Sequence, residues 1–558
     1  MPDTKTPLLG KKPPTSRPKN QRRRSSFEAS TYNSAGRSLS YSKKKQLLDE
    51  DASIPGLTLL QILTLTICMA GVQFTWTVEL SYGTPYLLSL DLSKEMTALV
   101  WLAGPLSGLL VQPLIGAFSD KCTSRLGKRR PFIIVSGILT CLSMVGVAYA
   151  KEIGHSFATF FHDEPDVIKD VAHGNAIIVA VASFYFLDFT LNAVQAICRA
   201  LILDVPPLWQ QDDANAWSAR MSNSAMVIGY FVGFVDLVKY LPWLGDSQVK
   251  VFCIVSIVVF LFTLAITCIT TKEKVNDKKE DLDNNQPWYS TFFYIVRAFR
   301  YLPRPIQTLC NTQFFAWMGW FPFLFYSTQW VSDIYFATHL PSAPEMPIDW
   351  AEGTRAGSFA LLCYSIVSVL AGLIIPALSN AFKNVRWLSL LNIYTLSHFT
   401  VAIALISSYF VSTVTQATVI LAIMGIPWAI VLWVPFSLVG EYVSYEDEKR
   451  QTFLHSGPVE APSYASVVAA GPSTTSEEER QEMNDEFDAG MILGVHNMYI
   501  VFPQFAVAIV SSFIFAASDA IKDGPDKALS SVTPVLIFGG LMALIAAGFS
   551  RFIVRVTS

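Results

Sequence analysis

Asp188-Phe189-Thr190-Leu191-Asn192-Ala193-Val194-Gln195-Ala196-Ile197-Cys198-Arg199 lies inside an apolar run from about Asn175 to Leu203. A helix of about 20 apolar residues crosses a bilayer, and this run is long enough. At roughly 100° and 1.5 Å per residue, Asp188, Asn192, Gln195 and Arg199 fall on one stripe about 16 Å long. Ionised groups in hydrocarbon cost on the order of 3 kcal/mol each. A stripe with an acid, two amides and a base therefore faces a bundle interior or a wet cavity and marks a functional site. The competing reading is a structural ion pair buried between helices.

Composition carries that reading to the whole chain. Of 558 residues, 52% are hydrophobic and only 15% charged, against about 25% charged in soluble proteins. The expected class is an all-α membrane protein with many spans. The net charge of -3, with no large basic surface, argues against a nucleic-acid partner. The 8 cysteines show no CxxC spacing and all but Cys122 fall in predicted spans, so they read as small buried hydrophobes, with neither a disulfide framework nor a metal site. His155, His162 and His173 crowd the stretch after the third span at no metal-ligand spacing and read as solvated loop residues. His496 is intramembrane. The sequence holds no HExxH, phosphate loop or nucleophile elbow, which argues against an enzyme, an ATP-driven pump or a bound cofactor.

Twelve spans are predicted: 57–80, 96–118, 131–150, 175–203, 219–240, 249–270, 308–332, 355–378, 387–410, 415–440, 489–516 and 532–554. Residues 1–54 form a basic, disordered cytosolic tail with Arg22-Arg23-Arg24-Ser25-Ser26. Residues 55–270 make an N-terminal six-helix bundle, 271–305 a cytosolic interdomain loop, and 306–558 a C-terminal six-helix bundle with a long disordered cytosolic loop at 441–488. Lys and Arg concentrate in the tail and in the 119–130, 271–305 and 379–386 loops, which places both termini in the cytosol. Two halves of six spans point to a transporter built from parallel repeats. A short internal echo agrees: Gly108-Leu109-Leu110-Val111-Gln112-Pro113 ends span 2, and Gly372-Leu373-Ile374-Ile375-Pro376 ends span 8.

The loop after span 2, Gly116-Ala117-Phe118-Ser119-Asp120-Lys121-Cys122-Thr123-Ser124-Arg125-Leu126-Gly127-Lys128-Arg129-Arg130-Pro131, resembles the loop signature of the major facilitator superfamily in the form found in glycoside and cation symporters. Trp76-Thr77-Val78-Glu79-Leu80-Ser81-Tyr82-Gly83-Thr84-Pro85-Tyr86, Gly104-Pro105-Leu106-Ser107-Gly108 and Trp320-Phe321-Pro322-Phe323-Leu324 are similar to motifs of the sucrose transporter family among those symporters. The resemblance covers all twelve spans and implies alternating access between two six-helix halves. It also implies a proton-carrying aspartate in span 4 with an essential arginine eleven residues on, matched here by Asp188 and by Arg199 in Cys198-Arg199-Ala200. Plant members carry an amide where this chain has Glu79, and the charges that follow their span-7 motif are absent at Ser327-Thr328-Gln329-Trp330, so the chain looks more like fungal or animal members.

The expected function is proton-coupled symport of α-glucosides such as maltose and sucrose. A sugar sensor, an uncoupled facilitator and a sodium-coupled symporter remain alternatives. The proton-coupling candidates are Asp188, Arg199 and Glu79, with Arg199 approaching Asp188 in one state. Desolvation favours a neutral carboxyl and a nearby cation favours an ionised one, so such an approach would couple proton to sugar. Whether Asp188 or Glu79 faces Arg199 is open at this stage. Sugar-binding candidates are Gln73, Trp76, Glu79, Gln112, Asn192, Gln195, Asn223, Trp317, Trp320 and Asn497, amides and rings suited to hydroxyls and flat apolar sugar faces. Gly116, Asp120, Arg125, Gly127, Arg129 and Arg130 form the expected conformational switch, with Asp120 pairing Arg125 or a helix end across the halves. The expected partners are a sugar, a proton and the lipid bilayer. The transport unit is expected to be a monomer, in the plasma membrane or, as the alternative, the vacuolar one.

Overall fold

The computed structural model describes residues 56–120, 122–207, 210–273, 302–338, 350–382, 385, 388–455, 489–521 and 531–553. The expected tail and most of the 271–305 and 441–488 stretches lie outside them. Among the described residues every regular element is helical, as hydrocarbon requires of chains that must satisfy their own N–H and C=O groups. Twelve long helices follow. Span 1 is Leu59–Thr66 continued by Cys68–Ser89. Span 2 is Ala103–Asp120, preceded by Lys94–Val100. Spans 3 to 6 are Arg130–Ala148, Pro165–Asp204, Gln211–Phe234 and Gln248–Thr270. Spans 7 to 12 are Arg304–Thr338, Trp350–Ala381, Leu390–Ser407, Val414–His455, Ala489–Ile521 and Thr533–Ser550.

Ten of these helices are long and apolar enough to cross a membrane. Spans 5 and 7 are less apolar, carrying residues such as Arg220, Asn223, Asn311 and Gln313. Both pack on helices of the opposite half, and a face turned to protein needs no lipid-like surface.

Two stretches differ from the sequence reading. The loop expected after span 3 is the helix Ala150–Phe161, and span 4 begins at Pro165, so His155 and His173 are helical. Gly154 is the reason the first of these can dock: a Cβ there would come within 2.6 Å of the Ala176 nitrogen. Span 10 runs on to His455, so residues 441–455 are helix and not loop. Glu446, Glu448, Lys449, Arg450 and Gln451 favour helix, and Gly457-Pro458 is the first strong stop.

Within the first half, span 1 packs on spans 5 and 6, span 4 on spans 2 and 3, and span 3 on span 6; within the second, span 7 packs on spans 8, 11 and 12, span 8 on span 10, and span 9 on spans 10 and 12. Hydroxyls join neighbours at depth: Thr75 Oγ1 and Ser256 Oγ are 3.2 Å apart, and the Tyr86 hydroxyl donates to the Val147 carbonyl at 2.8 Å. The halves meet where span 5 lies on span 8, span 1 on span 7 and span 2 on span 11.

We term the end where span 1 begins and span 12 ends the terminal face, and the other the far face. Links between the halves cluster toward the far face. Thr84 Oγ1 donates to the Phe325 carbonyl at 2.7 Å, Trp101 stacks on Phe325 with centroids 4.2 Å apart, and Lys94 donates to Ser531. Arg355 donates to the Phe234 carbonyl at 3.2 Å and pairs with Asp236 at 3.1 Å. Ala98, Trp101, Met226 and Tyr230 of the first half belong to the apolar core of the second. The far face is thus closed by shared core. Toward the terminal face Arg199, Asn223 and Asn497 are exposed.

Ser358, fully buried against Gly233, reports on this closure. A cysteine at Ser358 reacts slowly with an impermeant maleimide added at the far face, and several-fold faster once Arg355→Ala and Asp236→Ala remove the ion pair. Equal labelling rates in both backgrounds would show that the pair does not hold the face shut.

Candidate functional site

The acid of the span-4 stripe faces a second acid. Asp188 and Glu79 are 3% and 2% exposed, and their carboxyls lie within hydrogen-bonding reach of each other. Two ionised carboxylates offer only acceptors, so the contact is a hydrogen bond only when one of them holds a proton. Glu79 Oε2 is buried with no hydrogen-bond partner among the described residues. An apolar cavity walled by Val78, Tyr82, Tyr86, Met144, Phe184 and Leu187 lies beside Glu79.

Spans 2 and 4 fix Asp188 through backbone. Ser107 Oγ donates to the Asp188 carbonyl at 3.1 Å, as does Asn192 Nδ2 at 2.9 Å, and Gln112 Nε2 donates to Asn192 Oδ1 at 2.9 Å. Gln112 and Asn192 are thus brought together as a positioning pair. Gln195 is half-buried farther along the stripe.

Arg199 does not meet either acid. It is exposed and makes no ion pair among the described residues. The expected approach of Arg199 to Asp188 is not seen in this conformation. Both sit on one uninterrupted helix, Pro165–Asp204, and eleven residues of helix hold their backbones about 16 Å apart. In this conformation Asp188 faces Glu79, and Arg199 faces neither acid among the described residues.

Other candidates divide by exposure. Gln73 and Trp76 are half-buried on span 1, and Trp76 packs against the first-half core. Asn223 is exposed two turns below Tyr230 on span 5, and Asn497 is exposed on span 11. Trp320, 1% exposed, is no sugar platform in this conformation. It packs edge-on against Trp428, 5.0 Å away, and Trp317 approaches the same ring at 6.0 Å. Both tryptophans belong to the aromatic core of the second half, because rings at helical spacing pack on rings of the facing helix. Trp317 keeps a buried indole N–H without a partner among the described residues.

Sequence reading missed Gln504. It lies seven residues beyond Asn497 on the same face of span 11, and its amide approaches the space over Gly104 that Asp188 borders. The two-turn spacing of Asn497 and Gln504 was a signal available in the sequence.

The loop after span 2 is tied into the first half. Arg129 Nε binds Asp204 Oδ2 at 2.7 Å, Lys128 Nζ binds the same oxygen at 3.0 Å, and Arg129 also donates to Ser119. The N–H groups of Arg129 and Arg130 donate to the Glu273 carboxylate at 2.7 and 2.9 Å, and Arg130 Nη1 donates to the Cys268 carbonyl at 3.0 Å. Gly116 is half-buried in the last turns of span 2. The side chain of Asp120 lies outside the described part. Arg125 is exposed and without an ion pair among the described residues, and the expected pairing of Asp120, with Arg125 or with a helix end across the halves, falls on a side chain outside them; what the described residues show is an Arg129–Asp204 and Glu273 clamp joining the ends of spans 2, 3, 4 and 6. Asp204 and Glu273 are its acids because they end the helices that converge on this loop.

An all-helical membrane protein of two six-span halves meeting around intramembrane polar groups has the fold of the major facilitator superfamily. Solved structures share it: a bacterial homolog of the human lysosomal transporter Spinster (TM-score 0.53, 14% identity, 88% of this chain and 96% of that one) and the nucleoside transporter NupG (0.50, 12%, 88% and 99%). The family model for MFS/sugar transport proteins matches residues 66–303. The general alpha-glucoside permease of Schizosaccharomyces pombe is 30% identical over 89% of this chain and 93% of its own length. The sucrose transport protein SUT1 of Oryza sativa subsp. japonica is 30% identical over 66% of this chain and 74% of its length. The chain belongs to the MFS sugar transport family, on the branch that holds these permeases.

The clamp offers a test independent of substrate. Gly127 has φ +104°, and a Cβ there would lie 2.7 Å from the Glu273 side chain. Gly127→Val should cost about 1–3 kcal/mol and lower the melting temperature of the purified protein by several degrees. An unchanged melting temperature contradicts the clamp.

Proposed function

We propose that this chain is a proton-coupled symporter of α-glucosides, maltose and sucrose among them, working by alternating access. The observation that carries the reading is the Glu79–Asp188 carboxyl pair, buried at the crossing of spans 1 and 4. A single proton turns their repulsion into a hydrogen bond, so the pair has a proton-loaded and an empty state that differ in local charge. Closure at one face and opening at the other expose the pair to each side in turn. Arg199, Asn223 and Asn497 are exposed toward the terminal face, and we take them as groups of the path that opens there. Arg199 acts there as a fixed positive field that favours arrival of sugar hydroxyls and departure of the proton.

The names of the relatives support an α-glucoside substrate. Glu79, Asp188, Asn192 and Gln195 are our candidates for the polar wall, Gln73 and Trp76 for its extension along span 1, and Asn223 and Asn497 for groups met on entry. The Lys and Arg bias of the loops on the terminal face supports a cytosolic position for both ends of the chain, in the plasma membrane, with the monomer as transport unit.

Proteoliposomes taking up labelled maltose or sucrose test this. One pH unit across the membrane is worth about 1.4 kcal/mol, which sustains about tenfold accumulation at one proton per sugar. Asp188→Asn should abolish accumulation while keeping sugar exchange between the two sides, and Glu79→Gln should weaken accumulation in the same sense. Accumulation by Asp188→Asn equal to the parent's would sink the coupling role. Uptake of equal rate and extent with and without a pH gradient would identify a facilitator, and dependence on sodium a different coupling ion.

A further inference from the structure

We propose that the notch over Gly104 is a sugar-hydroxyl seat shared by the two halves, and that Gln504 of span 11 is its specificity-determining residue. The inference rests on the α-glucoside reading and names the second-half group that reads the sugar. An ideal Cβ built on Gly104 meets two atoms within 4 Å: Asp188 Oδ1 at 3.8 Å and Gln504 Oε1 at 3.9 Å. Beyond span 2's own chain next to Gly104, the nearest atoms to a group entering this space are therefore two polar oxygens, one from each half.

The polar groups around the notch are not consumed by the protein. The Asp188 carboxyl has Glu79 as its side-chain partner, and Glu79 Oε2 is buried without a hydrogen bond among the described residues. Gln504 is half-buried and its amide makes no hydrogen bond with a described residue. Buried polar groups left in this state cost about 1–3 kcal/mol each, which a ligand carrying hydroxyls removes. A hydroxyl donates to a carboxylate and accepts from an amide N–H, and the amide's other end accepts from a neighbouring hydroxyl. Adjacent hydroxyls on a pyranose ring present that alternation, whereas a monovalent ion or an apolar solute does not.

Glycine is required at 104 because any side chain would occupy the seat. The surroundings keep the two walls in register. Ser107 ties span 2 to the Asp188 carbonyl at 3.1 Å, and one turn on, a Cβ at Gly108 would touch Val501 at 3.5 Å, so span 11 lies close along span 2. Because Asp188 and Gln504 belong to different halves, a sugar seated between them resists separation of spans 2 and 11.

The test is binding of maltose and of its monodeoxy analogues to purified protein in nanodiscs at fixed pH, read by intrinsic tryptophan fluorescence. Gln504→Leu should raise the maltose Kd about tenfold. The analogue lacking the seated hydroxyl should bind the parent about tenfold more weakly than maltose does, and Gln504→Leu should bind that analogue and maltose alike. Other analogues keep their penalties. A purely structural role would weaken all analogues together, and that outcome overturns the seat, as does an unchanged maltose Kd. Gly104→Ala and Gln504→Asn guard against misfolding of the leucine variant: the first should weaken every sugar, the second the same hydroxyl as leucine. A parent that binds neither maltose nor sucrose would overturn the sugar reading and the seat with it. At fixed pH the comparison among analogues reads the sugar contacts at one protonation equilibrium, so a failure of proton-driven accumulation leaves this result intact.

Discussion

Two carboxyl groups buried side by side within the membrane constrain everything around them. Each alone costs several kcal/mol in hydrocarbon, and together they repel unless a proton is held. Such a pair survives only if helices are clamped around it so that neither acid can swing out to lipid. Spans 1, 2 and 4 supply that clamp through backbone contacts, with Ser107 and Asn192 both bonded to the Asp188 carbonyl. The far-face ends of the same spans carry Thr84 and Trp101 into contact with Phe325. The acids are therefore linked mechanically to the surface on which the halves part.

The two halves hold their polar groups differently. On the terminal face the first half is knit by charge: Asp204 takes Lys128 and Arg129, and Glu273 takes the N–H groups of Arg129 and Arg130. Charge-assisted bonds of this length are strong, and they tie the ends of spans 2, 3, 4 and 6 together. The second half buries neutral polar groups instead. His398 Nε2 has no partner among the described residues, and His496 lies 3.3 Å from Gln313. The far-face link is softer. Its Arg355–Asp236 pair is about one-third exposed on each side and so contributes on the order of 1 kcal/mol or less. Motion is thus directed to the seam between halves and away from either bundle.

Most of the fold was legible because apolar length alone reports a span, as it does for ten of the twelve long helices described. The helices Ala150–Phe161 and 441–455 were not, because periodicity there is short and its docking partner or solvent face is set by tertiary structure. The span-4 stripe was legible from helical spacing, yet spacing did not show that Arg199 stands apart from Asp188 in this conformation. A stripe shows which residues share a face and leaves their rigid separation to geometry. The partnership of Glu79 with Asp188 lies across two helices, where sequence offers composition and no distance. Trp320 is covered in this conformation for a related reason: an aromatic on a span is equally suited to a ring of the facing helix, and Trp428 supplies one. Gln504 was passed over as a single amide after Pro503 in an apolar run, although Asn497 two turns earlier marks the same face.

The separation of Asp188 from Arg199 decides how the arginine can matter. Between two charges roughly 10 to 16 Å apart, an effective dielectric constant near 20 leaves about 1 to 2 kcal/mol of attraction. That tilts an equilibrium by about a factor of ten without making a bond. It is a useful size for a transporter, since a direct ion pair would hold the carboxylate in its ionised form and freeze one state. A distant cation biases the proton's departure through whatever fills the stripe between them, past Asn192 and Gln195. The field of Arg199 is felt more weakly when that path is solvated by bulk water and more strongly when a sugar displaces it. In the symport proposed above, sugar occupancy and proton affinity would be coupled through the dielectric of the space between two charges carried on one helix.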